Sequence, residues 1–250
     1  MPNASKTKPI HLSRVLAAVV LMCWVAPGGA QAGWLKSAAT LPVVVFDPGH
    51  GGSDHGVRGP SGLLEKDVAL SLARALAEQL SGRYRIVLTR DDDYGLALNE
   101  RTSVANHEKA ALFVSLHSGG SFRATAGGMA VYFCGETVRT SLPVASLADT
   151  STVRDPVLWN SVYLRHQTTS QRLARLVAVR LKSLMVGTEV NSQTVPLLVL
   201  KGANMPSVLI ETGYLTNPVD EKKLSDPDHI NSLALAVGQA IDMFFKAEND

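Results

Sequence analysis

Short apolar runs alternate along the chain with stretches whose apolar residues recur at helical spacing. Residues 43–46 form an uninterrupted apolar run that ends at Asp47-Pro48-Gly49, which predicts a buried strand. Residues 65–80 carry their apolar side chains on one helical face, and Gly82 closes this predicted helix. The same reading predicts further strands at 85–89, 111–116, 128–134, 195–200 and 208–211, and further helices at 99–109, 168–184 and 228–245.

Strands that alternate with helices of these lengths indicate an α/β fold. We expect a single domain with a mostly parallel, twisted sheet of about six strands and helices on both faces of the sheet. No internal repeat and no break in composition divides the chain after about residue 40. The predicted domain therefore covers residues 42–250.

Residues 135–167 interrupt this regular pattern. They contain Ser/Thr-rich turns, two prolines and a patch with Trp159, Tyr163 and His166. A long connection inside a compact domain is usually functional or mobile. The hypothesis is that this insertion forms a wall of a substrate groove or a regulatory lid, and the alternative is a surface excursion that packs its own aromatic side chains.

The first 32 residues have the pattern of a signal peptide. Basic residues precede an apolar stretch at 15–26, and Ala30-Gln31-Ala32 is a small-x-small cleavage site. The apolar stretch is short for a bilayer span. We expect cleavage after residue 32, a linker at 33–41, no membrane anchor in the mature chain, and export to the periplasm or cell envelope of a bacterium.

Charge and cysteine content narrow the classes of partner. The formal net charge of +2 is modest, so nothing indicates a nucleic-acid partner. Cys23 lies in the predicted signal peptide, which leaves Cys134 alone and predicts no internal disulfide. With 46% hydrophobic residues, the 250-residue chain has enough apolar side chains for one substantial core, and we expect a monomer.

Ionisable residues stand at the ends of three predicted strands. His50 follows the first strand closely, His117 follows the third, and Glu211 ends the last, while Glu65 opens the first helix. Functional groups of such sheets gather outside the carboxyl ends of the strands. Two imidazoles and two carboxylates at one edge are the ingredients of a catalytic zinc site, which uses three protein ligands, a water and a carboxylate that takes a proton.

Each of these residues also has a simpler explanation. Glu65 at a helix start would complement the helix dipole. His117 could be a hydrogen-bonded core residue, and His50 could be a solvated loop residue. A buried Glu211 is costly in free energy unless it is paired or binds a metal.

Ordered motifs extend over most of the chain. They are Asp47-Pro-Gly-His50-Gly-Gly, Gly62-Leu-Leu-Glu65-Lys-Asp67, Leu88-Thr-Arg90, Glu100-Arg101-Thr102 through Asn106, Phe113-Val-Ser-Leu-His117-Ser118, and Met205-Pro-Ser-Val-Leu-Ile-Glu211-Thr-Gly-Tyr-Leu-Thr-Asn217-Pro218. Together they resemble the zinc-dependent N-acetylmuramoyl-L-alanine amidases of the amidase-3 type, over about residues 43–245. This resemblance implies that His50, Glu65 and His117 bind one Zn²⁺ per chain and that Glu211 is the catalytic glutamate.

The resemblance also implies the substrate and the reaction. The substrate would be peptidoglycan, and the reaction would hydrolyse the amide between the lactyl group of N-acetylmuramic acid and the L-alanine of the stem peptide. Arg90, Arg101 and Asn106 match family motifs, and we expect them to support the scaffold. The sequence leaves open whether a partner protein activates the enzyme.

Two positions depart from the family's pattern. The family commonly has Asn two residues after the second zinc histidine, where this chain has Ser118 followed by Gly119, and it often has an acid where Ala130 stands. These departures concern fine substrate preference rather than the metal.

Two other functional classes compete with this interpretation. One is a non-catalytic or regulatory peptidoglycan-binding protein on the same fold, against which the four intact residues argue. The other is a zinc peptidase of the cell envelope, against which the absence of a His-Glu-x-x-His helix argues.

Overall fold

The computed structural model describes residues 41–135 and 159–249. Within these ranges the strands are β1 (Val43–Pro48), β2 (Arg85–Leu88), β3 (Leu112–Gly119), β4 (Met129–Phe133), β5 (Val190–Thr194) and β6 (Ser207–Tyr214). The α-helices are α1 (Glu65–Leu80), α2 (Leu98–His107), α3 (Gln167–Leu184), α4 (Pro218–Leu224) and α5 (Pro227–Asn249). Two 3₁₀ helices span Trp159–His166 and Leu198–Leu200.

The strands form one six-stranded sheet in the order β2-β1-β3-β6-β4-β5. Strands β1, β2, β3 and β6 run parallel, and β5 runs parallel to β4. The pairing of β4 with β6 is antiparallel, which reverses the direction of the last two strands. The predicted mostly parallel sheet of six strands is confirmed.

Both faces of the sheet are covered, because successive side chains of a strand point to opposite faces. On one face, Val44 and Phe46 of β1 belong to a large apolar cluster with side chains of α1, α3 and α5. On the other face, Val45 belongs to a smaller cluster with Ala105 of α2 and Leu200 of the 3₁₀ helix. The prediction of helices on both faces is therefore confirmed.

The strand predicted at 195–200 is wrong. A strand lies a few residues earlier, as β5, and most of its side chains are exposed. Strand β5 is an edge strand with one neighbour, so its sequence needs no apolar alternation. The apolar residues Val199 and Leu200 instead belong to a 3₁₀ helix, and both are buried.

Helix α4 was not predicted, because it has only seven residues. Its start nevertheless follows capping rules. The side-chain oxygen of Asn217 accepts a hydrogen bond from the backbone N–H of Val219 at 2.9 Å, and Pro218 occupies the first helical position.

The described ends of the 135–167 segment lie at one edge of the sheet, and His117 and Glu211 lie at the other edge, where β3 and β6 end. Because β4 runs antiparallel to β6, Ala130 pairs with Glu211, and the chain leaves β4 near the beginning of β6. Ser170 of α3 accepts a hydrogen bond from the backbone N–H of Ser207 at 3.0 Å at this same edge. Tyr163 packs against the smaller apolar cluster.

Several predictions concern residues outside the described ranges. These are the signal peptide at 1–32, all but the last residue of the linker at 33–41, and the part of the groove-wall or lid hypothesis that falls on 136–158. Among the described helices, none combines the length and the hydropathy needed to span a bilayer.

Candidate active site

The four ionisable residues singled out in the sequence meet at one edge of the sheet. His117 in β3 and Glu211 in β6 are register partners on neighbouring strands, and His50 follows β1. Glu65 is the first residue of α1. One potential ligand atom each from His50, Glu65 and His117 lies within 4.8 Å of the others.

Glu65 lies between the two histidines. Its Oε1 is 2.9 Å from Nδ1 of His117, and its Oε2 is 3.1 Å from Nε2 of His50. The backbone N–H groups of Ser118 and Val57 donate to Oε1 and Oε2 at 3.0 and 2.9 Å. Burial alone would raise the pKa of Glu65, but hydrogen bonds from His117 and His50 outweigh it and hold this pKa well below its usual range. Glu65 is therefore ionised although it is buried, and a carboxyl group must be ionised to bind a metal.

The loop that carries His50 has an unusual backbone conformation. His50 has φ 59°, in the left-handed region that non-glycine residues seldom occupy. Its Nδ1 is 2.8 Å from Oδ2 of Asp54, which leaves Nε2 directed at Glu65. The hydrogen bond with Glu65 is the main reason that the pKa of His50 is raised, and burial opposes the rise. The hydrogen bond between Asp54 and Nδ1 of His50 is of the kind that orients a histidine ligand of a metal.

Two buried arginines hold this loop from below. Arg101 donates to the backbone carbonyl of His50 at 2.9 Å and to that of Pro48 at 2.8 Å. Arg90, which is fully buried, donates to the carbonyls of Pro48 and Gly49 at 3.0 and 2.8 Å. These contacts give Arg90 and Arg101 the scaffold role expected from the sequence.

The buried carboxylate of Asp47 anchors the same scaffold. It accepts hydrogen bonds from Arg101 at 2.8 Å, from the hydroxyl of Thr89 at 2.6 Å and from the hydroxyl of Ser115 at 2.7 Å. Asp47 is fully buried, so its charge depends on these three donors. The network joins β1 to β3 and to α2, directly beneath the His50 loop.

Two glycines allow the side chains of the His-Glu-His group to approach each other. A Cβ atom at Gly49 would lie 2.4 to 2.7 Å from the ring of His117. A Cβ atom at Gly56 would lie 2.5 Å from Oε2 of Glu65, and Gly56 has a positive φ of 64°. Neither position has room for a side chain.

Glu211 lies beside the His-Glu-His group without belonging to it. The hydroxyl of Tyr132 donates to its Oε2 at 3.4 Å. Burial raises the pKa of Glu211, against the opposing influence of His117 and Tyr132. The pKa values of Glu65 and Glu211 are thus shifted in opposite directions, which is the pattern of a site that keeps one carboxylate ionised and lets another exchange a proton.

The two positions that depart from the family's pattern both adjoin Glu211. Ala130 is its register partner on β4, and a Cβ atom at Gly119 would lie 3.3 Å from its Oε2. Ser118 contacts Glu65 through its backbone and Thr212 through its hydroxyl, at 3.1 Å. Gly119 and Ala130 therefore lie next to Glu211 and take no part in the His-Glu-His contacts.

Three residues of the site were missed in the sequence. Tyr132 contacts Glu211, and Asp54 contacts His50, as described above. Glu221 of α4 is buried and accepts hydrogen bonds from the backbone N–H groups of Ser61 at 2.9 Å and Leu63 at 3.3 Å, which fixes the glycine-rich loop before Glu65. Of these three residues, only Asp54 lies close in sequence to a predicted site residue, four positions after His50. Glu221 lies 160 residues from Ser61, so no local sequence pattern indicates their contact.

The donor set fits a single Zn²⁺. Two imidazole nitrogens and one ionised carboxylate converge, and this is a ligand set of catalytic zinc sites that keep a further position for water. The close approach of these donors, with a carboxylate held in its charged form, is the observation that supports the fit.

Comparison with known proteins identifies similar chains. The family model of N-acetylmuramoyl-L-alanine amidases matches residues 44–243. The N-acetylmuramoyl-L-alanine amidase AmiC of Neisseria meningitidis serogroup B is 30% identical over 218 residues, which are 81% of this chain and 52% of the relative. AmiA of Escherichia coli K12 is 29% identical over 226 residues, which are 84% of this chain and 78% of the relative. The chain thus spans about half the length of the first relative and more of the second.

Solved structures show the same architecture. The catalytic domain of CwlV, an N-acetylmuramoyl-L-alanine amidase from Bacillus (Paenibacillus) polymyxa var. colistinus, superposes with a TM-score of 0.67 at 27% identity, covering 82% of this chain and 99% of that one. AmiC2 of Nostoc punctiforme has a TM-score of 0.66 at 29% identity, covering 82% of this chain and 97% of that one.

The buried network beneath His50 predicts a large loss of stability when Arg101 is removed. Arg101→Met leaves the fully buried carboxylate of Asp47 without its cation, so we expect the free energy of unfolding to fall by about 3–5 kcal/mol. Arg85→Met is the matched control, because Arg85 pairs with Glu108 at the surface and its loss costs less than about 1 kcal/mol. Urea unfolding of both variants measures the difference, and equal losses would contradict the proposed scaffold role.

Proposed function

The chain belongs to the N-acetylmuramoyl-L-alanine amidase family, and we propose that it hydrolyses the amide between the lactyl group of N-acetylmuramic acid and the L-alanine of the peptidoglycan stem peptide. The observation that carries this proposal is the convergence of His50, Glu65 and His117 beside Glu211 at one edge of the sheet. Family membership alone would not distinguish an active enzyme from a binding protein, whereas this arrangement supports catalysis.

His50, Glu65 and His117 would hold one Zn²⁺. When bound, zinc supplies an acidified water and polarises the carbonyl of the scissile amide. The residues of the chain prepare the site for it: Glu65 is ionised, and Asp54 orients His50. The two arginines beneath the loop keep the His50 backbone in place.

Glu211 would act as the general base and then as the general acid. As a carboxylate it accepts a proton from the attacking water, and it then donates that proton to the nitrogen of the leaving L-alanine. Its raised pKa suits this exchange, because the Glu211 carboxylate then accepts a proton more readily than a carboxylate with an ordinary pKa would. Tyr132 would hold the carboxylate in position. Burial, with Glu211 nearby, raises the pKa of Tyr132 to about 12, so its hydroxyl stays protonated and donates.

We also propose the cellular setting from the sequence. Residues 1–32 would direct export to the periplasm or cell envelope and would be removed there, and the mature chain would act as a monomer. Peptidoglycan is a substrate of that compartment, so the setting agrees with the proposed reaction.

The approach of Gly49 to His117 predicts a metal-binding defect in a variant that adds one methyl group. Gly49→Ala would push the His117 ring away from Glu65, so we expect zinc affinity to fall about 10- to 100-fold. The wild-type chain should bind about one zinc per chain. Gly127→Ala is the control, because a Cβ atom there meets only ordinary contacts at 3.4 Å. Zinc content and competition with a chromophoric chelator measure the affinity, and unchanged binding by Gly49→Ala would reject the ligand role of His117.

The role of Glu211 predicts a variant that retains the metal but loses turnover. Glu211→Gln should bind zinc like the wild type and lose activity by about 10²- to 10⁴-fold, because the proton acceptor is gone. Glu78→Gln, an exposed position on α1, is the matched control. Full activity of the Glu211→Gln variant with bound zinc would rule out this role.

Mass spectrometry of digested sacculi tests the reaction itself. Free stem peptides that begin with L-alanine are expected from the wild type. Peptides cut internally would favour a zinc peptidase, and intact sacculi with bound protein would favour a binding protein.

The hydrogen bond from Tyr132 predicts a shift in pH dependence. Catalysis needs Glu211 as a carboxylate, and Tyr132 stabilises that form. Tyr132→Phe should raise the pKa of Glu211 further, so the acidic limb of the kcat/KM profile should move to higher pH by up to about one unit. Tyr214→Phe is the control, since no hydrogen bond joins its hydroxyl to Glu211 in the described part of the chain. A shift to lower pH, or an equal shift in both variants, would disprove this account.

A further inference from the structure

Helix α3 carries a concentration of positive charge that the rest of the molecule lacks. Residues 159–188, which include the whole of α3, contain five Arg and Lys residues and no Asp or Glu. The chain as a whole has 24 basic and 22 acidic residues, so acidic residues outnumber basic ones in the remainder. The five basic residues are Arg165, Arg172, Arg175, Arg180 and Lys182.

One side of α3 is buried in the domain. Leu173, Ala174, Val177 and Leu181 have no exposed surface and belong to the large apolar cluster. The helix packs on β4, β5 and α5. Because these contacts fix α3 on the domain, its opposite side is held facing outward before any partner binds.

The outer side of α3 combines cations with apolar side chains. Arg175, Val179 and Lys182 follow one another at intervals of four and three residues, which places them in a row on one side of the helix. Val186 lies just beyond the end of the helix. Arg175 and Lys182 are exposed, Val179 is 61% exposed and Val186 is 90% exposed. We call these four residues the α3 stripe.

The charges of the α3 stripe are not neutralised by the described part of the protein. Neither Arg175 nor Lys182 forms an ion pair with a carboxylate there, whereas Arg85 and Arg101 do. Arg172 is engaged differently, since its guanidinium lies 4.5 Å from the ring centroid of Phe244. Two cations with exposed valines beside them would attract a partner that offers both negative charge and an apolar layer.

The α3 stripe lies apart from the candidate active site. Helix α3 covers one face of the sheet, whereas His117 and Glu211 lie at an edge of the sheet. A broad surface that contacts α3 would therefore leave that edge accessible to substrate.

We propose that the α3 stripe binds the surface of an anionic lipid bilayer, with Arg175 and Lys182 at the lipid phosphates and with Val179 and Val186 at the boundary of the acyl chains. Basic side chains can keep their charged ends at the level of the headgroups while neighbouring apolar side chains enter that boundary. A row of cations suits the diffuse negative charge of a lipid surface, whereas an acidic protein would have to place carboxylates at matching intervals. The protein would lie on the bilayer without crossing it.

This inference adds a location to the proposed function. Export to the cell envelope, as proposed above, would bring the α3 stripe within reach of a membrane surface. Binding to lipid requires neither zinc nor peptidoglycan, so it can be tested separately from hydrolysis.

Co-sedimentation with vesicles tests the charge of the partner. The full-length chain should bind vesicles of phosphatidylglycerol and phosphatidylcholine in equal parts, should bind vesicles of phosphatidylcholine alone far more weakly, and should be released by added salt. The double variant Arg175→Gln/Lys182→Gln should lower the affinity for the anionic vesicles about 10- to 30-fold, which is about fivefold for each cation.

A second double variant is the matched control. Lys222→Gln/Lys223→Gln removes two exposed charges from α4 and should leave the affinity nearly unchanged. Residues 1–32 are present in every variant, so the differences report on the substituted positions. All four positions are exposed, and thermal unfolding that matches the wild type shows that a loss of binding is not a loss of fold.

A further variant tests the apolar part of the α3 stripe. Val179→Ala should lower the affinity for the anionic vesicles about two- to fivefold, because fewer carbon atoms leave water. Val219→Ala on α4 is the control, since Val219 is 62% exposed and Val179 is 61% exposed. Wild-type affinity of the Val179→Ala variant would contradict the placement of this side chain at the acyl boundary.

Other results would overturn the lipid proposal. The wild type would fail to bind anionic vesicles at low salt, or the two double variants would lose affinity equally. If Arg175→Gln/Lys182→Gln keeps its vesicle binding and loses binding to purified sacculi, the α3 stripe binds the cell wall and the proposal is wrong. A wild-type chain that binds vesicles as expected and releases no stem peptides would refute only the proposed reaction.

Discussion

The left-handed backbone at His50 depends on buried positive charge beneath it. That conformation is unfavourable for a residue with a side chain, and hydrogen bonds from Arg90 and Arg101 to the surrounding carbonyl groups hold it in place. Arg101 is itself kept in the interior by Asp47, whose remaining lone pairs are satisfied by two hydroxyl groups. A buried ion pair adds little stability by itself, but here it defines where His50 of the His-Glu-His group lies.

The chemistry of the site follows from how two carboxyl groups are surrounded. Glu65 lies between two imidazoles and accepts hydrogen bonds from two backbone N–H groups, so its charged form is favoured despite burial. Within the described residues, Glu211 accepts one long side-chain hydrogen bond, from Tyr132, and burial raises its pKa. Side chains of the same type are thus suited to the different tasks proposed for them, Glu65 as a metal ligand and Glu211 as a proton carrier. The small residues Gly119 and Ala130 lie next to Glu211.

Much of the fold could be predicted because buried strands and amphipathic helices have clear periodicities. Helix α1 was predicted with its observed bounds, since its valine and leucine side chains are all buried. The failures occurred where burial does not govern the sequence. The edge strand β5 is polar, so periodicity could not locate it. The seven-residue helix α4 was overlooked although Asn217 and Pro218 mark its start. Within the site, the strand-end residues were predicted, whereas Tyr132 and Glu221 were not.

By itself, the sequence determined the parallel strands that place His50, His117 and Glu211 at one edge, because the carboxyl ends of parallel strands must meet there. It also determined the family, through ordered motifs rather than any single residue. Only the tertiary structure decided that β4 runs antiparallel to β6, which brings Tyr132 and Ala130 next to Glu211 and sends Gly135 to the opposite edge. Strand direction and contacts between residues 79 or 160 positions apart depend on how the layers pack, and periodicity along the chain does not encode that packing.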